Sequence, residues 1–363
     1  MQKTEINDVR TSVQLRNPTF SKYQRAAVKK ELLGNLLRGK IEGCCYWSAE
    51  LVCSGLLMDL WEIILYHAAK HIHIGNPKLP IYLNMRFQSF KEIVNTGYRN
   101  NELSVRNNDR IRKMFAEIMC VMCTSQQKHA FETVKVNKDD FEIFNMNDKL
   151  KAPTVEYIQN VFISGDPKEI FIPLNELAYS LSPKGQNSML ACYWIEWIIE
   201  FENLCKKKKE KCEGIYRTFP KVIEKHQKDV IWIVWDIIRN RSLALCPTTK
   251  KIVQALLDLF CIGFTPSIKK KRRYIIYYAI SLCCEKCSMN IEISSNKTLI
   301  EHVVNKCHII YKDLKKNEEA PKTDYLFMDK KGEKTNSEKT MERLDKLEKL
   351  ESWNTVITDI SEP

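Results

Sequence analysis

Residues 188–205 read SMLACYWIEWIIEFENLC, and this stretch decides the fold class. Its apolar side chains recur at the three- and four-residue spacing that places them on one face of an α-helix. They are Leu190, Trp194, Trp197, Ile198, Phe201 and Leu204. Glycine and proline, the residues of tight turns, number only 11 and 12 among 363 residues. The sequence therefore predicts a mainly all-α protein and argues against a sheet rich in turns.

The same helical spacing recurs on both sides of this stretch. The predicted helices before it span about residues 21–39, 42–54, 57–71 and 79–95, and a fifth begins near Asp109. Those after it span about residues 230–239, 248–262, 274–284 and 297–316. The predicted order is an irregular N-terminus (1–20), helical module 1 (21–130), a connecting segment (131–172), helical module 2 (173–312) and a polar tail (313–363).

Two shorter patterns interrupt or follow the helices. Residues 131–136 alternate loosely between apolar and polar side chains, a turn-like stretch follows at 137–140, and 141–144 is again apolar. This favours a small β-hairpin between the two modules. In the tail, only Met341–Glu351 has a narrow leucine stripe, which favours a short amphipathic helix that could contact a protein partner.

A short sequence pattern, an internal echo, occurs in both helical modules. Cys-Tyr-Trp occurs at 45–47 and again at 192–194, and each copy is followed by a helix with a central tryptophan, at 60–64 and 234–238. The second copy has a longer insert, which contains Lys206–Lys209. We interpret the echo as two related helical-hairpin modules, each unable to bury its apolar face alone. The alternative is coincidence between two tryptophan-rich helices.

The charge is concentrated in the body of the chain. The net charge is +12, whereas residues 311–363 contain 11 basic and 13 acidic residues. A body this basic attracts polyanions and gains from counterion release. Nucleic acid, an anionic membrane face and an acidic protein all satisfy this requirement.

The cysteines and the hydropathy pattern indicate the compartment. Several of the 14 cysteines lie in apolar stretches, and the N-terminus has no apolar signal core. These features predict reduced thiols in an intracellular protein that is not secreted. No apolar run is long enough for a membrane span, so none is expected.

Two basic clusters are the candidate nucleic-acid-binding residues. The first is Lys206, Lys207, Lys208 and Lys209 with Lys211, and the second is Lys269, Lys270, Lys271, Arg272 and Arg273. The second cluster directly precedes Tyr274, Tyr277 and Tyr278, whose rings could stack on exposed bases. The alternatives are a solvated loop or a nuclear-import signal, with the tyrosines in the core.

Metal and acid–base sites are weaker hypotheses. Cys284 and Cys287, followed by His302 and His308, match a zinc-finger spacing, with Cys307 as a spare ligand. Cysteines at the end of an apolar helix are more often small hydrophobes, so we predict no metal. For the histidine pair His67/His71 we likewise favour a structural role near a helix C-terminus over metal binding. For the carboxylate pair Glu196/Glu200 we favour the solvated edge of an amphipathic helix over metal binding or acid–base catalysis.

Motifs for common enzyme chemistries are missing from the sequence. It contains no phosphate-binding loop, no Gly-x-Gly-x-x-Gly, no Gly-x-Ser-x-Gly and no His-Glu-x-x-His. The sequence therefore favours a non-enzymatic protein without a cofactor. An enzyme with a dispersed active site is the least supported alternative.

Two resemblances extend this interpretation. CYWSAEL at 45–51, LWEII at 60–64, HIHIGNPKLP at 71–80 and ACYWIEWIIEFE at 191–202 resemble an uncharacterised helical family of large DNA viruses of protists and algae (mimivirus- and phycodnavirus-like). The resemblance covers most of residues 20–325 and implies a viral origin, but no activity and no functional residues.

The second resemblance is local. Arg38-Gly39, Tyr46-Trp47 and Ile74-Gly75-Asn76-Pro77 are similar to the helical collar of clamp-loader-related AAA+ proteins, over residues 36–80. The chain has no ATPase motif, so this resemblance implies at most a shared helix packing.

Together these features predict a nucleic-acid-associated accessory factor in viral replication, transcription or genome packaging. It would act in the host cytoplasm or nucleus, at the viral factory or in the virion, with a viral protein partner bound through the tail. The runner-up is a virion structural or assembly protein, with tryptophan-rich faces as subunit contacts.

Overall fold

The computed structural model describes residues 4–98, 102–130, 132, 134–294, 296–319 and 340–341. Within these ranges the chain forms twelve α-helices, α1 to α12 in order. They are Arg25–Leu37, Ile41–Cys53, Leu57–His67, Leu79–Gly97, Asp109–Thr124, Ile143–Met146, Phe171–Leu181, Ser188–Lys208, Ile231–Leu243, Pro247–Phe260, Lys269–Cys284 and Lys297–Leu314. The described residues contain no β-strand. The predicted all-α class is confirmed.

The predicted hairpin after residue 130 is wrong. Lys138–Phe141 is a 3-10 turn and α6 is a single helical turn. The cause is a capping box, in which the Asn137 N–H donates to the Asp140 carboxylate at 2.9 Å and the Asn137 side chain accepts from the turn. The Asp140 carbonyl in turn accepts from Trp197 Nε1 at 2.8 Å, which holds the turn against the core instead of a partner strand. Residues 131 and 133 lie outside the described ranges.

Helix α11 lies at the centre of the core. It packs against α3, α8, α9 and α10. Tyr277 and Tyr278 in its middle are fully buried, as are Trp61 on α3, Trp194 on α8 and Trp235 on α9. Large aromatic side chains bury the most apolar area per residue, so these rings dominate the stability of the body.

Two compact units can be distinguished. Of the described residues, the first contains 4–6 with Arg10–Glu318, and the second contains Asn7–Val9 with Glu319 and residues 340–341. In the second unit the Val9 N–H donates to the Glu319 carbonyl at 3.2 Å.

Of the predicted tail helix Met341–Glu351 only Met341 is described, and the division into modules 21–130 and 173–312 stays a prediction. Across the described ranges, the helices lack the combined length and apolar character that crossing a bilayer demands.

The predicted helix over 57–71 changes its winding before it ends. Helix α3 stops at His67, a π-turn runs from Ala68 to Ile72, and a 3-10 turn follows from His73. His73 has a backbone φ of 47°, in the left-handed region that non-glycine residues seldom adopt. The π-turn accepts two backbone hydrogen bonds, from the N–H of Lys128 to the Ile72 carbonyl and from the N–H of Ala130 to the Lys70 carbonyl.

Candidate nucleic-acid interface

The basic run at 269–273 forms the first turn of α11, and most of its charges have partners inside the protein. Lys269 is only 2% exposed. Its Nζ lies 2.8 Å from both carboxylate oxygens of Asp229 and also forms an ion pair with Glu202. Lys270 is exposed and contacts Glu200 at 2.6 Å. The start of α11 is therefore anchored by carboxylates from the α8 helix and from the turn that precedes α9.

The two arginines of this run are also held internally. Arg272 is buried, forms an ion pair with Glu62 and donates to the Phe260 carbonyl at 2.7 Å. Arg273 Nη1 lies 2.8 Å from Glu196 Oε2, and the Tyr277 hydroxyl donates to Glu196 Oε1 at 2.6 Å. Burial raises the pKa of Glu196, and these two partners oppose the rise. Glu196 and Glu200 thus both have ion-pair partners, but Glu196 is buried, so its predicted place on a solvated helix edge is wrong.

Lys271, like Lys270, lies on the surface with its side chain exposed. Lys269 and Arg272 are enclosed by protein, so their ammonium and guanidinium groups cannot reach a phosphate without a rearrangement of the core. Contacts from the second cluster would consequently come from Lys270 and Lys271.

The first cluster is placed differently. Lys206, Lys207 and Lys208 end α8, and Lys209 and Lys211 follow it; all five are exposed. The helix dipole favours lysines in the last turn, which accounts for their position. Because their side chains are exposed, they can still contact an outside ligand.

The two clusters meet at one carboxylate. Glu202 Oε1 lies 2.8 Å from Lys206 Nζ, while the same carboxylate forms the ion pair with Lys269. The structure therefore brings the end of α8 and the start of α11 together on one side of the body, although they are far apart in the sequence.

A cavity of about 250 Å³ opens beside this junction. Its basic lining consists of Lys206, Lys211, Lys225, Lys228 and His226. Its acidic lining consists of Glu202, Glu210, Glu213 and Asp229. Lys225 and Lys228 were not among the predicted site residues. We name residues 206–228 the lysine insert; it contains eight lysines and three glutamates, a bias that could have indicated the whole segment.

The tyrosines that follow the second cluster are core residues. The side chains of Tyr274, Tyr277 and Tyr278 are buried, and the Tyr278 hydroxyl donates to the Asn76 carbonyl at 2.8 Å. The hypothesis that these three rings stack on bases is therefore wrong. Their helix faces the core because every side of α11 meets another helix after its first turn.

The zinc-finger spacing does not correspond to a cluster. Cys284 ends α11, where its Sγ contacts the Ser180 carbonyl at 3.6 Å, whereas His302 and His308 are exposed on α12. Burial raises the pKa of the Cys284 thiol to about 12, which disfavours the thiolate that binds zinc. Among the described residues, no three His, Cys, Asp or Glu side chains are arranged to hold a metal ion.

The buried His67/His71 pair lies beside the exposed ring of His129. The two rings of the pair are 5.5 Å apart between centroids, and His71 Nδ1 lies 3.0 Å from His129 Nδ1. Burial lowers the pKa of His67 to about 3 and that of His71 to about 4. His67 and His71 are therefore neutral at physiological pH, and the three rings pack the π-turn against the chain that follows α5.

The chain matches no family model and no curated protein, and its fold matches no solved structure. The side chains of the molecule itself are therefore the basis for assigning a function.

Proposed function

We propose that this protein is a non-enzymatic accessory factor that binds nucleic acid during viral replication, transcription or genome packaging. The observation that carries the proposal is the lysine insert, whose eight lysines are exposed and four of which, Lys206, Lys211, Lys225 and Lys228, line one cavity. The viral setting rests on the sequence resemblance. Phosphate contacts by lysine do not require a particular base sequence, so binding is expected to be general rather than sequence-specific.

The strength of such binding depends on how many lysines meet phosphates. Five contacts, one for each lysine of the first cluster, lower the binding constant about 500-fold between roughly 50 and 200 mM salt. Two contacts lower it only about tenfold over the same range. The salt dependence therefore measures the number of lysines engaged.

The test compares two triple variants in fluorescence anisotropy with a labelled oligonucleotide. Lys207, Lys208 and Lys209 are changed to Gln in the first variant, and Lys30, Lys250 and Lys251 in the second. All six are exposed, and both variants lose three positive charges. We expect the first variant to lose most of the salt dependence and the second to keep it. Equal losses in both would show that net charge, rather than the insert, attracts the ligand.

The rival function, a virion structural protein with tryptophan-rich subunit contacts, gains less support from the packing. Trp61, Trp194, Trp197, Trp232 and Trp235 are all buried within the body. These rings stabilise the fold and are not available to a neighbouring subunit. Abundance of the protein in purified particles, together with absence of oligonucleotide binding, would favour this rival.

A further inference from the structure

The lysine insert carries apolar side chains on its surface as well as charge. Tyr216 is 42% exposed, and Ile215 and Ile223 are also exposed. Isolated exposed apolar residues are common on protein surfaces. Here the tyrosine lies in the same segment as eight lysines, which is the combination that single-stranded nucleic-acid binders use for backbone and base.

The backbone on either side of Tyr216 is fixed by the fold. The Ile215 N–H donates to Asp166 Oδ1 at 2.8 Å, and the Arg217 N–H donates to the Gln227 carbonyl at 3.1 Å. The Arg217 side chain is buried, where its Nη2 donates to Asp166 Oδ2 at 2.8 Å.

The Arg217 guanidinium also reaches the carbonyl of Val161, at 3.2 Å. With both neighbours anchored in this way, the ring of Tyr216 is presented to solvent from an ordered support. A binding partner then has few backbone conformations to freeze, which lowers the entropic cost of stacking on this ring.

The ring also lies within reach of the lysines that line the cavity. The Gly214 N–H donates to the Lys228 carbonyl at 2.8 Å, which holds the segment before Tyr216 against Lys228, one of the lysines that line the cavity. Glu213, three residues before Tyr216, lines the cavity itself, so the chain between them spans at most about 11 Å. A nucleic-acid strand whose phosphates contact these lysines can place a nearby base over the ring of Tyr216.

We infer that the lysine insert binds single-stranded nucleic acid, with its lysines on the phosphates and one base stacked on Tyr216. This inference rests on the proposed function and specifies its ligand. A base in a duplex is already paired and stacked, and exposing it costs free energy. Stacking on an aromatic side chain is worth roughly 5- to 150-fold in affinity for each base, and only the single strand gains it.

The experiment measures the affinity of the full chain for a short labelled oligothymidylate and for a mixed-sequence duplex of equal length, at one salt concentration. We expect tighter binding of the single strand. The variant Tyr216→Ala should lose roughly 5- to 150-fold for the single strand and little for the duplex, while Tyr216→Trp should keep the preference. Tyr23→Ala, at another exposed tyrosine outside the insert, should behave like the wild type.

The outcomes separate this inference from the proposed function. Equal affinity for both ligands, unchanged by Tyr216→Ala, would overturn the single-strand inference and leave phosphate binding intact. Failure of both ligands to bind at low salt would overturn both. Because Tyr216 is exposed, its variants should show the far-UV circular dichroism and thermal midpoint of the wild type, and a loss of affinity would then report on the ring.

Discussion

Acid is expected to destabilise this fold through His67. The side chain is fully buried at the end of α3, and neither ring nitrogen finds a hydrogen-bond partner among the described residues. Burial, with smaller contributions from the neighbouring rings of His71 and His129, lowers its pKa to about 3. The folded state therefore keeps His67 neutral at a pH where an unfolded histidine takes up a proton.

The sign and size of the effect follow from this difference. Unfolded histidine has a pKa near 6.5, so below that pH the unfolded state binds a proton that the folded state does not bind. The free energy of unfolding then falls by about 1.4 kcal/mol for each pH unit, until the folded pKa of about 3 is reached. Between about pH 7 and pH 5 the loss from His67 is about 2 kcal/mol. His73, with a pKa lowered by burial to about 4, adds a similar amount over the same interval.

Urea unfolding followed by tryptophan fluorescence at several pH values measures this loss. The variant His67→Leu removes the titrating group and keeps the site apolar, so its stability should depend less steeply on pH, by about 2 kcal/mol between about pH 7 and pH 5. His302→Leu, at an exposed position on α12, is the matched control and should keep the wild-type dependence. An unchanged pH dependence in His67→Leu would refute the assignment of acid sensitivity to this ring.

Three further substitutions test the packing through the midpoint of urea unfolding. Trp61→Ala removes a fully buried ring and should cost about 3–5 kcal/mol; a loss below about 1 kcal/mol would show that this part of the core is not close-packed. Lys269→Met leaves two buried carboxylates without their shared ammonium and should cost about 3–5 kcal/mol. Neutralising both carboxylates in the same chain should restore part of that loss, and no recovery would contradict the ion-pair account. Gly75→Ala should destabilise because its new Cβ would overlap the Gln126 carbonyl oxygen, whereas Gly97→Ala, which has open space around it, should be close to neutral.

The helices were predictable because their signals are local. The predicted helix 188–205 appears as α8 over Ser188–Lys208, and the predicted helix 248–262 appears as α10 over Pro247–Phe260. In both, one apolar face specifies the period within a single stretch of chain. The hairpin prediction failed because alternation over a few residues is a weak signal. The competing signal is Asn137 followed three residues later by Asp140, an acidic variant of the capping box whose residues also suit a hairpin turn.

The candidate site was only partly predictable. The exposed lysines of the first cluster follow an amphipathic helix, and a local pattern is enough to place them at a surface. The burial of Lys269 and Arg272 depends on carboxylates that lie 40 to 210 residues away in the chain, at Asp229, Glu202 and Glu62. A run of five basic residues carries no local sign of such partners, so the sequence could not distinguish a surface patch from an anchored helix start.

The carboxylate of Glu202 has one oxygen on Lys206 at the surface and the other on Lys269 in the interior. A phosphate that captures Lys206 would leave two acids, Glu202 and Asp229, to share a single enclosed ammonium. Burial already raises the pKa of Asp229 and the charge of Glu202 adds to the rise, so the withdrawal of Lys206 from Glu202 favours a hydrogen ion on Asp229. Binding of a phosphate to Lys206 at the surface would therefore be accompanied by proton uptake in the interior. The affinity for the phosphate would then increase as the pH falls.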